Sequence, residues 1–413
     1  MRVHHTVCCG IDVHKKSVTA CLMWGPADQE PQWEIRRFGT MTSELKTLAE
    51  WLKQTQCEVA AMESTGAYWK PVWNVLEGQI PLILANAKHV RALPGEKTDN
   101  KDGKRLASFT RHGLIRSSFV PGRDIRELRD LTRHRKKLLA NGAAERNRIQ
   151  KVLEDANIKL GSVLSDVFGV SGQRMLHALV DRPSVNVEEV TALAHWRLQP
   201  KIEELKKALE GRLTAHHRFM IDLSLGHMQY IEQQILRLDQ EIARHLEPYQ
   251  KQFELLQTIP GIAQNASACV LAEIGPDMSP FDDDGRLSSW SGICPGNNES
   301  AGKKFKTNTR KGNPHLVSTL VESAWASTHV KNSHYKARYH RIKSRRGSQR
   351  AIVAVAHSLL RTIYVVLKTG QPYQEPTRPL LTEKQRTRKA QRLTRELQQL
   401  GFEVTLNTKT LNG

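Results

Sequence analysis

Two carboxylates stand in or at the end of apolar runs near the start of the sequence. Asp12 interrupts the run CGIDV, and Glu63 ends the run VAAME just before Ser64-Thr65-Gly66. A lone carboxylate in an apolar strand is costly unless it is paired or bound to a cation. If both runs are strands of one sheet, each brings an acid to its carboxyl end. Both acids are therefore candidate metal ligands.

A second pair of acids, Asp99 and Asp102, lies three residues apart in KTDNKD. At the predicted start of a helix this spacing puts them on one face. Four carboxylates in one cleft repel each other, whereas two Mg²⁺ ions match their charge and prefer oxygen ligands. Two such ions can activate an attacking oxygen and stabilise the leaving oxygen of a phosphodiester. Taken singly, each acid also has a structural explanation as a strand end, a helix cap or a surface residue.

The elements that must position these acids follow an informative order. Three antiparallel strands come first, and strands then alternate with helices, which is the order of an RNase H-like α/β fold. The predicted strands are 7–13, 18–24, 32–38, 58–62 and 80–85, and the predicted helices are 43–54 and 68–76. We therefore assign residues 1–122 to an RNase H-like catalytic domain.

Beyond residue 122 the strand signals vanish. Residues 123–250 are predicted to be helical, with a regular seam of apolar residues three and four apart that is typical of a coiled coil. The seam consists of Ile221, Met228, Ile231, Ile235, Leu238 and Ile242. A weaker spacing between Leu128 and Val152 leaves open whether the two stretches pair within one chain or between chains. A mainly α unit is predicted for 251–370, and a basic tail with one helix, 383–400, for 371–413.

The composition favours an anionic polymer as partner. The 413 residues carry a formal net charge of +20, and cations that neutralise phosphates release condensed counterions on binding. Nucleic acid is the first expectation and an anionic membrane the second, but no run approaches the roughly 20 apolar residues of a spanning helix. The six cysteines lack CxxC spacing, so we expect reduced, mostly buried thiols in a cytoplasmic protein without a signal peptide.

Several motifs together resemble one family. The segments GIDVHK at 10–15, ESTG at 63–66 and KTDNKD at 97–102 match its N-terminal signature, and IPGI at 259–262, IG at 274–275, WSGICP at 290–295 and ESAGK at 299–303 match its C-terminal signature. The chain resembles, over about residues 5 to 370, the DEDD transposases of the Piv-type DNA invertase and bridge-RNA-guided insertion-sequence family. The resemblance implies a RuvC-like domain, a coiled-coil dimerisation region and a transposase domain that carries a serine.

The same resemblance implies roles for individual residues. Ser300 is the implied nucleophile, which attacks a DNA phosphate and forms a transient phosphoserine, although Ala301 stands where a glycine is common in the family. A hydroxyl needs activation by a base or a metal, which the acids and their metal would supply if the two domains meet across a dimer. The cations close to the serine that are predicted to hold the phosphate are Lys303, Lys304, Lys306 and Arg310.

Other motifs are candidates for contact with nucleic acid. The segment IPGIA around Gly261 resembles a helix-hairpin-helix turn, whose backbone N–H groups bind phosphate, but Ala263 replaces the usual second glycine and packing is the alternative. Lys311, in RKGN, is expected to contact a nucleic-acid backbone. A further basic run of candidate phosphate contacts contains Arg341, Lys343, Arg345 and Arg346.

The leading hypothesis is an RNA-guided, Mg²⁺-dependent DNA recombinase that excises and inserts its own insertion sequence. Its expected partners are donor DNA, target DNA, a guide (bridge) RNA and further copies of itself in a dimer or tetramer, without a membrane. The expected location is cytoplasmic and associated with the nucleoid. The alternatives are a stand-alone DNA invertase, a RuvC-type nuclease that uses water in place of Ser300, and a non-catalytic nucleic-acid-binding coiled-coil protein.

Overall fold

The computed structural model describes ten stretches of the chain and divides into two compact units, Met1–Gly122 and Arg123–Gly413. The described residues are 2–64, 66–87, 90, 102–181, 186–295, 299–300, 303–304, 309, 311–376 and 383–405. Asp99, Lys306 and Arg310, which the sequence singled out, lie outside them. The division of the chain into four segments stays a prediction.

The first unit is built on a mixed five-stranded sheet. Its strands are β1 (Val7–Val13), β2 (Ser17–Trp24), β3 (Gln32–Gly39), β4 (Val59–Glu63) and β5 (Leu82–Ala85), arranged in the order β3-β2-β1-β4-β5. Strands β1, β2 and β3 pair antiparallel, whereas β4 is parallel to both β1 and β5. This topology is compatible with the RNase H-like domain predicted from the order of the elements.

Helices cover both faces of this sheet. On one face lie α1 (Thr42–Gln54) and α2 (Trp69–Leu76), and α1 buries Leu45, Leu48 and Leu52, which are spaced by one helical turn. On the other face lies α3 (Asp102–Arg111). Its residues Leu106, Ala107 and Phe109 pack against the second set of sheet side chains.

The second unit contains two long helices that pack against each other within one chain. They are α4 (Arg123–Asp155) and α9 (Ala215–Leu246). The buried side chains of α9 include Ile221, Met228 and Ile231 from the predicted seam. The pairing that the sequence left open is therefore intramolecular in this structure, while coiled-coil geometry stays a prediction.

Shorter helices between these two add a separate core. They are α5 (Leu160–Val163), α6 (Val170–Asp181), α7 (Val187–Thr191) and α8 (Ile202–Leu209), with a 3₁₀ turn at Trp196–Lys201. Their apolar side chains, such as Leu176 and Leu205, pack with Ile149 of α4 and Ile221 of α9. Segment 160–217 thus joins the two long helices.

The rest of the second unit is mainly helical. After a 3₁₀ turn at Glu247–Tyr249 come α10 (Gln250–Gln257), α11 (Gln264–Ile274), α12 (Asp284–Ser291), α13 (Pro314–His329), α14 (His334–Arg346), α15 (Ser348–Thr369) and α16 (Glu383–Gln399). Two short strands, β6 (Glu299–Ser300) and β7 (Lys303–Lys304), lie between α12 and α13. The helix predicted in the basic tail is present as α16.

One described helix, α15, is long and apolar enough to cross a membrane by length and composition alone. The sequence predicted no such segment, for want of a run of about 20 apolar residues. Arg361 interrupts the apolar residues of α15. Half of the most apolar window is buried, and Val355, Leu359 and Ile363 are among the side chains that α15 buries. It packs against α13 and α14, as a core helix does.

Candidate active site

Asp12 and Glu63 lie side by side on neighbouring parallel strands. The register of β1 and β4 pairs Gly10 with Ala61 and Ile11 with Met62. One further step puts Asp12 beside Glu63 at the carboxyl end of both strands. Adjacent strands are about 4.8 Å apart, and residues in register point to the same face. The two acids therefore share one edge and one face of the sheet, as the two apolar runs suggested.

Helix α3 brings Asp102 to the same edge. A Cβ added to Gly10 would lie 2.2 Å from the Gly103 carbonyl oxygen and 2.3 Å from the Ala107 nitrogen, so the helix backbone rests directly on β1. At the far end of α3, Arg111 Nη1 donates to the Thr6 carbonyl. The helix therefore runs opposite to β1, and its first residue, Asp102, lies at the Asp12 end.

A histidine contacts the first of these acids. His14 Nε2 and Asp12 Oδ2 are 2.9 Å apart, and the Asp12 side chain is 24% exposed against 67% for His14. The structure shows that Asp12 is accessible from solvent and already engaged in one polar contact.

The donor set at this edge suits a hard cation. Carboxylate oxygens are the ligands that Mg²⁺ prefers, usually one or two together with water and substrate phosphate. Within the described ranges no three His, Cys, Asp or Glu side chains stand close enough to hold a metal ion. Asp99, the fourth predicted ligand, lies outside those ranges. The chemistry of the residues fits Mg²⁺, and the described part contains three of the four proposed ligands, Asp12, Glu63 and Asp102, without bringing the three close enough to share one ion.

Ser300 lies in a pair of short antiparallel strands in the second unit. It is the last residue of β6 and pairs antiparallel with Lys303, while Glu299 pairs with Lys304. An isolated bridge between Pro295 and Thr309 brings together the two chain segments that lead into the hairpin. We call residues 295–309 the serine hairpin. The paired strands bring the backbone of the predicted nucleophile next to that of two predicted phosphate-binding lysines.

The chain that leaves the serine hairpin is held firmly. Gly312 packs so tightly that an added Cβ would lie 2.2 Å from the Ser291 carbonyl oxygen. The Asn313 backbone N–H donates to that same oxygen at 3.0 Å, and the Asn313 side chain caps α13. Lys311, just before this anchor, is exposed. The motifs WSGICP and RKGN are therefore neighbours that fix the base of the serine hairpin.

A buried acid in this region escaped the sequence analysis. Glu273, 2% exposed, accepts hydrogen bonds from Arg133 at 2.7 and 2.8 Å and from Asn313 Nδ2 at 2.6 Å, and Arg129 lies 3.4 Å away. Burial raises the pKa of Glu273, but the hydrogen bonds from Arg133 and Asn313 and the charge of Arg129 outweigh it, so the pKa is lowered. The feature of the sequence that could have identified Glu273 is an acid in the apolar run CVLAEIG. The same feature identified Asp12 as a candidate.

Gly261 has a packing role in the structure. Its φ is +88°, and an added Cβ would lie 2.4 Å from the Ser323 carbonyl oxygen and 2.6 Å from the Ser327 nitrogen of α13. Only glycine fits so close to a helix backbone at this φ. This accounts for the glycine through packing, and the predicted DNA contact of the turn stays a prediction.

Two models of protein families match the chain. A DEDD model of the IS110 type, described as a transposase, matches residues 9–158, which contain Asp12, Glu63 and Asp102. A model described as the transposase IS116/IS110/IS902 family matches residues 253–340, which contain the serine hairpin. A comparison with curated proteins found no match. The two family matches cover more than half of the 413 residues in the expected order, and the chain therefore belongs to the IS110 family of DEDD transposases.

Proposed function

We propose that this transposase excises and inserts its own insertion sequence by RNA-guided exchange of DNA strands. In the proposal, four acids hold two Mg²⁺ ions, and Ser300 forms a covalent bond with DNA. The four acids are Asp12, Glu63, Asp99 and Asp102. Membership of the IS110 family establishes a transposase that acts on DNA. The metal, the serine and the RNA are the parts that we add.

The observation that carries the proposal is the arrangement of the acids at one sheet edge. The register puts Asp12 beside Glu63, and the contact of Gly10 with Gly103 brings in Asp102 at the start of α3. Bound Mg²⁺ would polarise a phosphoryl oxygen and stabilise charge on the attacking and leaving oxygens. An arrangement that served only stability would not need three acids at a partly exposed edge, because like charges repel there.

The proposed step at Ser300 is a transesterification. The Ser300 Oγ–P bond forms as the bond from phosphorus to one sugar oxygen breaks, and the hydroxyl proton passes to that oxygen. One phosphate ester replaces another, so no external energy source is needed. Attack by a sugar hydroxyl of a second DNA strand reverses the step and restores Ser300. Strand exchange follows, whereas attack by water would give cleavage only.

The cations near the serine are proposed to hold the DNA phosphate. Lys303 lies opposite Ser300 in the hairpin ladder and Lys304 is the next residue, while Lys311 is exposed just beyond the hairpin. Lys306 and Arg310 lie between them in the sequence. Positive groups close to the reacting phosphate stabilise the charge that develops in the transition state. Gly261 is proposed to contribute a DNA contact through the backbone of its turn.

The remaining partners rest on the motifs shared with the family. A guide (bridge) RNA would select donor and target DNA by base pairing, a dimer or tetramer would hold both DNAs, and the cytoplasmic protein would associate with the nucleoid. Purification of the complex from cells that carry the whole element tests the RNA. We expect RNA from the element's own ends to copurify. Recombination that survives complete removal of this RNA would instead favour the stand-alone invertase.

The acids are tested by Asp12→Asn and Glu63→Gln, with Asp28→Asn as control because Asp28 is exposed in the turn after β2. Removing one metal-binding charge should lower strand cleavage by at least about 100-fold, while Asp28→Asn keeps full activity. Isothermal titration calorimetry with Mg²⁺ gives a second readout. Only Asp12→Asn and Glu63→Gln should weaken the binding of Mg²⁺. Full recombination by Asp12→Asn would refute the metal site.

Ser300 is tested by Ser300→Ala, with Ser289→Ala as control because Ser289 is exposed on α12. We expect Ser300→Ala to lose excision and the covalent protein–DNA species while DNA binding and thermal stability stay unchanged. Denaturing gels with labelled DNA detect the adduct. An adduct that persists in Ser300→Ala excludes this serine as nucleophile, and cleavage without any adduct in the native protein would favour the RuvC-type nuclease.

A further inference from the structure

A group of cationic side chains lies on the helical hairpin of α14 and α15, away from the serine hairpin in the sequence. Tyr335 Oη donates to Thr362 Oγ1 at 2.8 Å, and Tyr339 Oη and Ser348 Oγ are 2.7 Å apart. These two contacts make the helices antiparallel neighbours. Arg338, about one turn after Tyr335, therefore faces the turn of α15 that precedes Thr362.

Arg338 is the centre of this group. Its Nε is buried and has no hydrogen-bond partner in the part of the chain that the structure describes. Arg341 follows three residues later on α14, and His357 and Arg361 lie four residues apart on α15, so each pair shares a helix face. We call these four residues the 338–361 cluster.

The charges of the cluster act on one another. Burial lowers the pKa of Arg338, and the positive charges of Arg341 and Arg361 lower it further. Burial also lowers the pKa of His357, and Arg361 and Arg338 contribute in the same direction. Arg341 and Arg361 are therefore close enough to disfavour the charged form of Arg338, and Arg361 and Arg338 are close enough to disfavour that of His357.

Negative charge balances the cluster only in part. Asp284 forms an ion pair with Arg361, whereas neither Arg338 nor Arg341 has an ion pair with any residue that the structure describes. A partly buried guanidinium without a partner is costly. An anion would satisfy the free Nε and offset the repulsion, and guanidinium groups bind phosphate in a planar, two-pronged geometry.

The cations continue along the hairpin beyond the cluster. Arg345 follows Arg338 by seven residues and Arg350 precedes His357 by seven, which in both cases is two helical turns on the same face. Both arginines are exposed. A line of cations suits a polymer of phosphates better than a single small anion.

We propose that the 338–361 cluster binds a phosphodiester group of a nucleic-acid backbone, as a site separate from the one that breaks strands. This proposal rests on the proposed function only because a transposase acts on nucleic acid. It requires neither the metal nor Ser300. Arg338 supplies the buried donor, and Arg341 and Arg361 supply further charge. The site recognises backbone phosphate, which DNA and RNA share.

The test compares Arg338→Gln with Lys336→Gln in the full chain. Lys336 lies about 160° around α14 from Arg338 and is partly exposed, so its replacement removes equal charge from the opposite side. Affinity is measured in EDTA for a duplex DNA and a single-stranded RNA of equal length over a range of salt. We expect Arg338→Gln to weaken binding roughly tenfold or more, as loss of a charge-assisted hydrogen bond predicts.

The salt dependence gives a second signature of a lost phosphate contact. The slope of log K against log salt should fall by about 0.9 for the duplex or 0.7 for the single strand in Arg338→Gln. Loss on both nucleic acids supports a shared backbone site, and loss on one identifies the source of the phosphate. Equal affinity of Arg338→Gln and Lys336→Gln for both nucleic acids would overturn the proposal. Arg341→Gln, at an exposed position, repeats the test if Arg338→Gln does not fold.

These results do not depend on catalysis. Binding in EDTA needs no strand cleavage, so a protein that fails the Ser300 or Asp12 tests can still pass this one. Conversely, a protein that exchanges DNA strands at full rate still fails the binding test if Arg338 does not contribute to its affinity for nucleic acid. The proposed function and the proposed phosphate site are therefore tested separately.

Discussion

Gly10 and Gly103 bring a strand and a helix into direct backbone contact. An added Cβ on Gly10 would lie 2.2 Å from the Gly103 carbonyl oxygen, whereas one on Gly103 would lie 3.4 Å from the Gly10 carbonyl oxygen. The contact is asymmetric, because only the strand position lacks room for a methyl group. It also sets the distance between Asp12 on β1 and Asp102 on α3.

The first prediction compares alanine at these two glycines. Gly10→Ala should destabilise the protein by about 3 kcal/mol, because the α3 backbone must move away. Gly103→Ala should be close to neutral, since its Cβ meets only ordinary contacts and alanine favours a helix by up to about 1 kcal/mol. Urea unfolding measures both. Equal stability of the two variants would show that α3 does not rest on β1 as described.

The contact between Gly10 and Gly103 is a part of the fold that could not be predicted from the sequence. The sequence predicted all five strands, and the two acids in or at the end of apolar runs predicted the edge where they meet. From the sequence alone, the glycine inside the run VCCGID is interpreted only as a residue that weakens a strand. That α3 would cross β1 there depends on a long-range backbone fit, which local patterns do not encode.

The second prediction concerns the pH dependence of Glu273. Its folded pKa is lowered, so its stabilising effect is present above the unfolded value, about 4.5, and is lost as the pH falls through the folded pKa. Glu273→Gln should cost about 3 kcal/mol at pH 7, because it leaves Arg133 without its buried partner. The difference from the native protein should shrink as the pH falls below about 4.5. Urea unfolding across this pH range gives the curve.

Glu322→Gln is the control for this prediction. Glu322 is 70% exposed and lies 3.3 Å from Lys136, a surface pair that should contribute less than about 1 kcal/mol. If Glu273→Gln and Glu322→Gln cost the same at pH 7, the buried network does not stabilise the base of the serine hairpin.

Glu273 also shows why part of the candidate site was missed. Its sequence signal equalled that of Asp12, but an acid before Gly275-Pro276 also fits the end of a surface helix. The partners Arg129 and Arg133 lie about 140 residues earlier in the chain. Only the folded arrangement of α4 and α11 shows that the charge is buried and paired. For the same reason, the basic run at 341–346 did not reveal Arg338 and Arg361 as neighbours.

The third prediction concerns the cysteines, which are free and mostly buried, as the sequence suggested. Burial raises the pKa of Cys8 and Cys57 to about 12 and that of Cys21 to about 11, and it raises the pKa of Cys9 well above its usual value. Because the thiolate is the reactive form, none of these four thiols should react quickly with an aromatic disulfide reagent at pH 8. Cys294, which is only partly buried, should react first.

Mass spectrometry after brief labelling identifies the modified cysteines. Cys294→Ser should remove the fast phase, while unfolding in guanidinium should expose all six thiols. Fast modification of Cys8 in the native protein would contradict the closed packing of the sheet against α3, and fast modification of Cys57 would contradict the packing against α1 and α2.

The fourth prediction concerns Arg111 at the end of α3. This side chain is 1% exposed and donates to three backbone carbonyls, those of Thr6, Gly25 and Pro26, at 3.0, 2.8 and 2.8 Å. Arg111→Met keeps much of the volume but leaves these carbonyls without their donor, which should cost about 3 kcal/mol. Arg116→Met, at an exposed position, should cost less than about 0.5 kcal/mol. Hydrogen exchange of the β1 amides should speed up in Arg111→Met alone; unchanged exchange there would mean that the guanidinium does not tie α3 to β1.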